Sequence, residues 1–328
     1  MATLTTSSLS VGSHSVTAVY GGDSNFSGST SPVDTQTVNR SATSTALSSS
    51  PDPSVFGQAK ALTATVTAIS PGAGTPTGTV SFFDGATLLG TGTLSGGVAT
   101  FSTTTLATGS HSLTAVYNGD TNFSGSTSPV DTQTVGKAST TTTANSSPNP
   151  SVFGQPVTLT ATVAAVAPGA GTPTGTVTFF IGGIPQAPVT LSGGVATLIV
   201  STLPVGTRTI RATYNGDSNF TGSTSTTSNQ MVTKANSNTA LTSAPDPSVF
   251  GQSKTLTATV TAAAPGAGTP TGTVSFFDGA TLLGTSTLSG GMATFSTTTL
   301  AIGTHSLTAV YNGSGNFNTS TSPVDTQT

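Results

Sequence analysis

The chain has 328 residues, of which 34% are apolar and only 5% are charged, with seven Lys and Arg, ten Asp and Glu, and a net charge of −3. So few basic residues make no phosphate-binding patch, which argues against nucleic acid as a partner. Cysteine is absent, which excludes disulfides and thiolate metal sites, and no apolar run approaches the roughly 20 residues that insertion in a membrane requires.

The sequence repeats every 97 residues, as four evenly spaced tyrosines show: Tyr20, Tyr117, Tyr214 and Tyr311. A fixed internal period predicts one kind of domain used several times in series. We predict a partial first repeat at 1–38 and three complete repeats, the second to fourth, at 39–135, 136–232 and 233–328. Few residues separate them, so we expect a semi-extended row of neighbouring repeats.

The position of Met1 within the period bears on localisation. Met1 aligns with Val98 and Met292, which places it inside a repeat rather than at a secretion signal. Any targeting signal would therefore lie upstream of Met1.

In chain order, the second repeat predicts seven short strands in which apolar and hydroxyl residues alternate. They are Thr43–Ser48, Leu62–Ala68, Thr79–Phe83, Thr87–Leu94, Val98–Leu106, Leu113–Tyr117 and Ser126–Val135. Gly- and Pro-rich turns separate them, and no stretch has a helical period. This pattern predicts an all-β fold of tandem immunoglobulin-like antiparallel sandwiches with about seven strands each. The partial first repeat predicts only the last three strands: Met1–Leu9, Ser13–Tyr20 and Ser29–Val38.

One local motif recurs in the repeats, and in the second it reads Tyr117-Asn-Gly-Asp-Thr-Asn-Phe-Ser-Gly-Ser. Together with Gly78-Thr-Val-Ser-Phe-Phe-Asp-Gly85, it resembles the bacterial Ig-like repeat domains found in tandem on large secreted and cell-surface proteins. The resemblance implies an extracellular or cell-surface location and a role in stalks, spacers and adhesion, and it assigns no catalytic, cofactor-binding or metal-binding residue. The fourth repeat departs from the motif at Ser314, where the others have Asp.

Asp120 and Asn122 of this motif offer oxygen ligands for Ca²⁺, but two ligands are too few for an ion that takes six to eight. We predict instead that Asp120 accepts backbone N–H groups in an Asx-type turn. Ser314 favours this reading, because a hydroxyl can cap a turn but is a poor calcium ligand.

Three histidines share one repeat position, which Arg208 occupies in the third repeat: His14, His111 and His305. A hydrolytic triad would also need an oriented nucleophile and an acid. Alternation of His with Arg favours a solvated strand face over a catalytic base.

Tyr117 is in register with Leu113 and Ala115, so we predict that its ring enters the core and its hydroxyl finds a backbone partner. A sugar-stacking platform would instead need clustered aromatics and Trp, and Trp is absent.

Two kinds of covalent modification have candidate residues. Asn122-Phe-Ser124 and Asn219-Phe-Thr221 are permitted glycosylation sequons, of a kind that arises by chance in so Ser/Thr-rich a chain. Of the lysines, only Lys60 and Lys254 share a repeat position, which argues against a Lys–Asn isopeptide bond in every domain.

The sequence therefore predicts a non-enzymatic extracellular spacer array, without cofactors, that forms part of an adhesive stalk or fibre and has neighbouring repeats as its partners. Two alternatives stay open. The first is a filament in which another copy of the chain completes residues 1–38. The second is a module that binds a cell-surface or matrix glycan through loops such as Pro71–Gly78.

Overall fold

The computed structural model describes residues 1–328, which form 31 short strands and no helix. They divide into two compact units. The first unit holds residues 1–139 with 165–171 and 218–221, and the second holds 140–164, 172–217 and 222–328. The predicted all-β fold is confirmed. No helix is present that could cross a lipid bilayer.

Residues 1–38 form two small antiparallel ladders, one of β1 with β4 and one of β2 with β3. These strands are β1 (Gly12–Val16), β2 (Val19–Tyr20), β3 (Ser29–Thr30) and β4 (Asp34–Val38).

The predicted strand over Met1–Leu9 is wrong. Its equivalent in the second repeat, Val98–Thr103, pairs with the strand Lys60–Ala68. Residues 1–38 contain no counterpart of Lys60–Ala68, so the backbone of 1–9 has no ladder to join. The strands predicted at Ser13–Tyr20 and Ser29–Val38 are each interrupted.

The second repeat forms two sheets with the strand orders β10-β7-β5 and β6-β13-β11-β8-β9. Its strands are β5 (Thr43–Ser50), β6 (Ser54–Val55), β7 (Lys60–Ala68), β8 (Thr79–Asp84), β9 (Thr87–Thr93), β10 (Val98–Thr103), β11 (Gly109–Tyr117), β12 (Ser126–Thr127) and β13 (Asp131–Gly136).

The core of this repeat lies between its two sheets. Leu62 and Ala64 of one sheet and Phe82 and Leu113 of the other are fully buried in one cluster. The intervening Thr65 is exposed. The period-two alternation therefore builds the core, as the sequence predicts.

Two details of the second repeat differ from the prediction. The strand predicted over Ser126–Val135 is broken at Pro129, which has no N–H for a ladder. There the Oγ of Ser128 takes over, since it accepts the N–H of Ala115 at 3.0 Å and donates to the carbonyl of Pro129 at 2.8 Å. The short β6 was not predicted, and its parallel pairing with β13 is an exception to the antiparallel scheme.

In the third repeat the strands are β14 (Thr140–Ser147), β15 (Ser151–Val152), β16 (Val157–Ala165), β17 (Thr176–Ile181), β18 (Ile184–Pro185), β19 (Val189–Thr190), β20 (Val195–Val200), β21 (Gly206–Tyr214), β22 (Ser223–Thr224) and β23 (Ser228–Thr233). The single strand β9 of the second repeat is here replaced by β18 and β19, which both pair with β17. Pro185 and Pro188 account for the break, since neither can donate a backbone hydrogen bond.

In the fourth repeat the strands are β24 (Ser237–Ala244), β25 (Lys254–Ala262), β26 (Thr273–Asp278), β27 (Thr281–Thr287), β28 (Met292–Thr297), β29 (His305–Tyr311), β30 (Ser320–Thr321) and β31 (Asp325–Gln327). Leu256, Phe276, Leu307 and Tyr311 are fully buried in its core.

Candidate functional site

The recurrent motif forms a tight turn that is built around Asp120. Its Oδ1 accepts the backbone N–H groups of Asn122 and Phe123, each at 2.8 Å. Its Oδ2 accepts both the N–H and the hydroxyl of Thr77, at 2.9 and 2.6 Å. Burial acts to raise the pKa of Asp120, but these four hydrogen bonds outweigh it and hold that pKa well below 3.8. The predicted Asx-type turn is confirmed.

The fourth repeat keeps the turn with a weaker cap. The Oγ of Ser314 accepts the N–H groups of Asn316 and Phe317, each at 3.2 Å. A serine is too short to bond the Thr271 loop as well, and here Tyr311 donates its hydroxyl to the carbonyl of Thr271 at 2.7 Å. Asp120 and Ser314 therefore both cap the turn by accepting two of its backbone N–H groups. The additional hydrogen bonds from Asp120 to the neighbouring loop can be replaced by another contact with that loop.

The turn fixes the position of the phenylalanine in the motif. Phe123, Phe220 and Phe317 are 6%, 2% and 1% exposed. In the third repeat, Ala138 donates its N–H to the carbonyl of Asn219 and accepts the N–H of Thr221, both at 2.9 Å. The chain that enters a repeat is thus hydrogen-bonded on both sides of the motif phenylalanine.

A second phenylalanine meets the first within the first unit. The ring of Phe56, from the second repeat, stands edge-on to the ring of Phe220, from the third, with centroids 5.4 Å apart and planes at 80°. The N–H of Phe56 bonds to the carbonyl of Gly136 at 2.9 Å, and its carbonyl accepts the N–H of Ala170 at 3.3 Å. We call this contact the first joint (residues 54–57, 136–138, 170–171 and 219–221).

The same arrangement recurs within the second unit. Phe153 of the third repeat stands edge-on to Phe317 of the fourth, at 5.6 Å and 78°. Its N–H bonds to the carbonyl of Thr233 at 2.9 Å, and its carbonyl accepts the N–H of Ala267 at 3.3 Å. We call this the second joint (residues 151–154, 233–235, 267–268 and 316–318).

A glycine allows each joint to close. Gly57 has a φ of +76°, and a Cβ placed on it would lie 2.2 Å from the carbonyl oxygen of Ala170. Gly154 has a φ of +79° and the same 2.2 Å approach to Ala267. Glycine is the only residue type that can adopt this positive φ and also approach a neighbouring carbonyl oxygen so closely, because it has no Cβ.

A buried glutamine holds the short strand that immediately precedes the joint phenylalanine. Gln133 is fully buried, and its Nε2 donates to the carbonyl of Pro51 at 3.1 Å and to the Oγ of Ser54 at 3.2 Å. Gln230 makes the equivalent bonds in the third repeat. Sequence reasoning missed this residue, although a glutamine at the same position of all four repeats was a visible signal: Gln36, Gln133, Gln230 and Gln327.

The family to which these repeats belong follows from comparison with known domain families. The model of the bacterial Ig-like domain (group 3) family matches four segments, residues 1–39, 47–136, 142–233 and 241–328. The chain belongs to this family. Ig-like repeat domains of this kind are generally non-enzymatic, and the four matches make the chain a tandem structural array. A search of curated proteins found no match.

Several solved structures share a distant likeness with this bacterial Ig-like array. Fibronectin(III)-like modules of Clostridium thermocellum CbhA are 19% identical, with 58% of this chain and 93% of theirs covered and a TM-score of 0.24. The Escherichia coli adhesin FdeC is 16% identical, with 86% and 96% covered and a TM-score of 0.26. The three N-terminal domains of the bacteriophage RB49 capsid protein Hoc are 13% identical, with 87% and 97% covered and a TM-score of 0.24. Likenesses this low carry no inference for this chain.

Two of the three histidines lie in pairs with carboxylates, whereas His14 contacts only the carbonyl of Ser10, at 2.6 Å through Nε2. His305 lies 2.5 Å from Asp278 through Nδ1 and 2.8 Å from the carbonyl of Ala301 through Nε2, and His111 makes the equivalent contacts with Asp84 and Ala107. The third repeat loses both members, with Arg208 and Ile181 in their places. Both ring nitrogens are engaged, so neither histidine has a nitrogen free to take a proton from a nucleophile.

Tyr117 is 1% exposed, which confirms that its ring enters the core. Burial first, and the nearby Asp120 second, raise the pKa of Tyr117 to about 12. The backbone partner predicted for its hydroxyl is wrong, because the hydroxyl groups of Tyr117 and of its equivalent Tyr214 are buried without a hydrogen-bond partner. In the fourth repeat, the equivalent Tyr311 does donate its hydroxyl to the carbonyl of Thr271.

The two lysines that share a repeat position, Lys60 and Lys254, are also buried. Lys60 is fully buried and donates to the carbonyl of Gln58 at 3.1 Å, and burial lowers the pKa of Lys60. Lys254 contacts the Oε1 of Gln327 rather than an asparagine. Val157 occupies the position in the third repeat.

The remaining candidates from the sequence are a metal site, the two glycosylation sequons and the loop Pro71–Gly78. No group of three or more His, Asp or Glu side chains is placed to hold a metal ion. Within the sequons, the backbone carbonyls of Asn122 and Asn219 bond to the entering chain at Ser41 and Ala138. The loop Pro71–Gly78 contributes Thr77 to the Asp120 turn, and its equivalents in the third and fourth repeats form part of the joints.

Proposed function

We propose that this bacterial Ig-like array is a non-enzymatic extracellular spacer, part of the stalk or fibre of a secreted or cell-surface protein. The joint supports this proposal best. Its aromatic contact and its backbone hydrogen bonds recur with nearly the same geometry in both units, at 5.4 and 5.6 Å between ring centroids. A spacer needs neighbouring repeats that hold their relative orientation, whereas a flexible tether needs no such contact.

The hydrogen bonding of the chain that enters the joint supports the same function. The entering chain at Ala235 donates to the carbonyl of Asn316 at 2.9 Å and accepts the N–H of Asn318 at 2.8 Å. Ala235 is fully buried. A linker whose backbone is bonded to its neighbours in this way loses the freedom that makes flexible linkers bend.

Because the chain has no cysteine of its own, spin labels attached to two introduced cysteines can measure a distance across the second joint. Cysteines would replace Thr143 and Thr287, which are both exposed in the second unit, and carry spin labels. We expect double electron–electron resonance to give a narrow distance distribution, and we expect Phe153→Ala to broaden it because the ring contact with Phe317 is lost.

Phe250→Ala is the matched control, because Phe250 occupies the same repeat position and is 76% exposed. It should leave the distribution unchanged. A broad distribution in the unmodified joint, or no response to Phe153→Ala, would refute the rigid spacer.

The filament alternative also has a specific observation in its favour. Residues 1–38 expose Val19 and Phe26 at 72% and 69%, in contrast to the buried equivalent Phe123. An apolar segment that its own chain leaves open suits association with another copy. The glycan-binding alternative stays a proposal to be tested by glycan-array binding and its loss on mutation of the Pro71–Gly78 loop.

A further inference from the structure

The third repeat differs from its neighbours at one end of its sandwich. In the second repeat the ring of His111 lies 2.7 Å from the carboxylate of Asp84, and the fourth repeat has the same pair at 2.5 Å. The third repeat has Arg208 in place of the histidine and Ile181 in place of the aspartate. It therefore has a permanent cation at this position and lacks the carboxylate that would pair with it.

The guanidinium of Arg208 has most of its hydrogen-bond donors unused. Its Nη1 donates to the carbonyl of Thr207 at 3.0 Å. A guanidinium carries five N–H donors in a planar fork that matches the two oxygens of a carboxylate. Asp217, the one acidic residue of the third repeat, is engaged elsewhere, since its Oδ2 accepts the N–H and the hydroxyl of Thr174 at 2.9 and 2.6 Å.

An apolar groove adjoins this guanidinium, within the second unit. It has a volume of about 510 Å³, and its lining includes Ile181, Ile184, Val200, Leu203 and Arg208. Leu203 is 5% exposed and Ile184 is 67% exposed, so the groove runs from the core to the surface. Its volume lies within the range of about 300–1,000 Å³ that is typical of sites for small molecules.

The groove is apolar because of residues that only the third repeat has. Three side chains of its lining replace polar side chains of the second and fourth repeats. They are Ile181 for Asp84 and Asp278, Ile184 for Thr87 and Thr281, and Val200 for Thr103 and Thr297. These three residues belong to three different strands, β17, β18 and β20. The changes therefore converge on one surface instead of following one strand.

The charge of the third repeat favours an anionic ligand. This repeat has three Lys and Arg residues and one Asp, which gives a net charge of +2. The second repeat has two basic and four acidic residues, and the fourth has two and three, so both are negative. An anion is therefore attracted to the third repeat in preference to its neighbours.

We propose that this groove binds a carboxylate carried on an aliphatic chain, a small acid of the fatty-acid type. The carboxylate pairs with the guanidinium of Arg208, and the chain lies along Ile181, Val200 and Leu203. The carboxylate of the ligand thus supplies what an aspartate supplies in the second and fourth repeats. This binding site goes beyond the spacer proposal, and the distance measurement across the second joint tests the spacer separately.

The test is a titration of the full chain with sodium octanoate at pH 7, followed by two-dimensional NMR of the backbone amides. The titration extends to about 10 mM, since an open groove with one charged contact supports an affinity near about 1 mM. We expect shifts at Gly182 and Thr207, and none at Gly85 and Ser110, which occupy the same positions in the second repeat. Each methylene added to the acid should tighten binding about two- to fourfold.

Two variants and a control test the role of the guanidinium. Arg208→Gln should weaken octanoate binding at least about tenfold, through loss of the charged contact. Ile181→Asp provides a carboxylate from within the repeat and should weaken it as strongly, and the fold accepts aspartate at this position in two other repeats. Arg211→Gln is the matched control, because Arg211 lies on the same strand but on its other face, 4.5 Å from the ring of Phe180. It should leave the affinity unchanged.

Four results would overturn the proposal. They are the absence of any shift, equal shifts in the second and third repeats, unchanged affinity in Arg208→Gln, and binding of octanol as strong as that of octanoate. Trivaline with a free C-terminal carboxylate tests the other occupant that a guanidinium beside an apolar groove could hold. If trivaline binds more tightly than octanoate, the site takes the end of a peptide and the assignment to an aliphatic acid is wrong.

Discussion

The ring of Phe153 meets the ring of Phe317 edge-on, with 5.6 Å between centroids, although the two residues belong to different repeats. Phe317 belongs to the recurrent motif, and Phe153 lies in a turn that buried Gln230 holds in place. The motif therefore has a use beyond its own repeat. Its turn presents a ring, and the preceding repeat packs a second ring against it.

We expect Gly154→Ala to disrupt the second joint. The new Cβ would lie 2.2 Å from the carbonyl oxygen of Ala267, and the φ of +79° is costly for any side chain. Hydrogen exchange at the amide of Ala267, which bonds to Phe153, should accelerate by more than about tenfold, since each factor of ten corresponds to about 1.4 kcal/mol.

Gly251→Ala separates the cost of the backbone conformation from the cost of the steric clash that a Cβ makes at Gly154. This glycine has the same φ of +80° but nothing within 4 Å. It should show only the backbone cost of about 1–2 kcal/mol, within its own turn. If exchange at Ala267 is equally slow in the unmodified chain and in Gly154→Ala, the joint does not depend on this close approach.

We expect Asp120→Asn to destabilise the second repeat by about 1.5–3 kcal/mol, because an amide cannot accept all four hydrogen bonds that the carboxylate accepts. The pKa of Asp120 is lowered in the folded state. The ionised carboxylate therefore stabilises the folded repeat at pH values above its ordinary pKa of 3.8. This stabilisation is lost as the pH falls through the lower pKa of the folded state. Urea unfolding from pH 7 down to pH 2, followed by hydrogen exchange of peptides from this repeat, measures the loss.

The fourth repeat provides the reverse experiment. Ser314→Asp should restore the bond to Thr271 and make the stability of this repeat depend on acid as that of the second does. Equal acid profiles for the unmodified chain and the Ser314→Asp variant would contradict this account of the turn.

Much of the fold follows from local pattern. Alternation of Leu62, Ala64 and Val66 with threonines fixes β7 and its buried face, and the repeated motif predicts the Asp120 turn. The strand Ser54–Val55 escaped prediction because two residues carry no period. Its place depends on Gln133, which acts across 79 residues of sequence.

The joint could not be predicted either. Phe56 and Phe220 are 164 positions apart in the chain, and each resembles an ordinary core or turn residue on its own. Nothing in a single repeat states that one ring packs on the other, since the contact depends on how successive domains meet. The error at Met1–Leu9 has the same origin, because a strand needs a neighbour that local sequence does not show.

We expect Lys60→Met to leave the second repeat as stable or to stabilise it by up to about 2 kcal/mol, since a buried cation without a carboxylate partner is costly. Val157 at this position shows that the fold accepts an apolar side chain. The folded pKa of Lys60 is lowered, so the unfolded chain binds more protons between the folded and unfolded values. Stability should rise with pH through that window in the unmodified chain.

Lys60→Met should abolish that rise, and Lys234→Met, at an exposed position, should preserve it. Chemical unfolding at a series of pH values up to about 10.4, the ordinary value for lysine, gives both slopes. Identical slopes in the unmodified chain and in Lys60→Met would show that burial of this cation costs nothing.

We expect the pair of His305 and Asp278 to make the fourth repeat less stable as pH rises. The carbonyl of Ala301 first, and the carboxylate of Asp278 second, raise the pKa of His305. A group whose folded pKa is raised contributes fully below its unfolded value, about 6.5, and its contribution is lost as pH passes through the folded value. Asp278→Asn should lower the His305 pKa, and the bond to Ala301 should keep part of the elevation.

Proton NMR titration of the His305 ring measures that pKa directly, and unfolding between pH 5 and 9 measures the linked stability. Asp34→Asn, which removes an exposed carboxylate from residues 1–38, is the charge-matched control and should leave both unchanged. The third repeat has Arg208 and Ile181 at these positions, so its stability should show no such transition. A His305 pKa that is the same with and without the Asp278 carboxylate would mean that the 2.5 Å contact does not stabilise the charged ring.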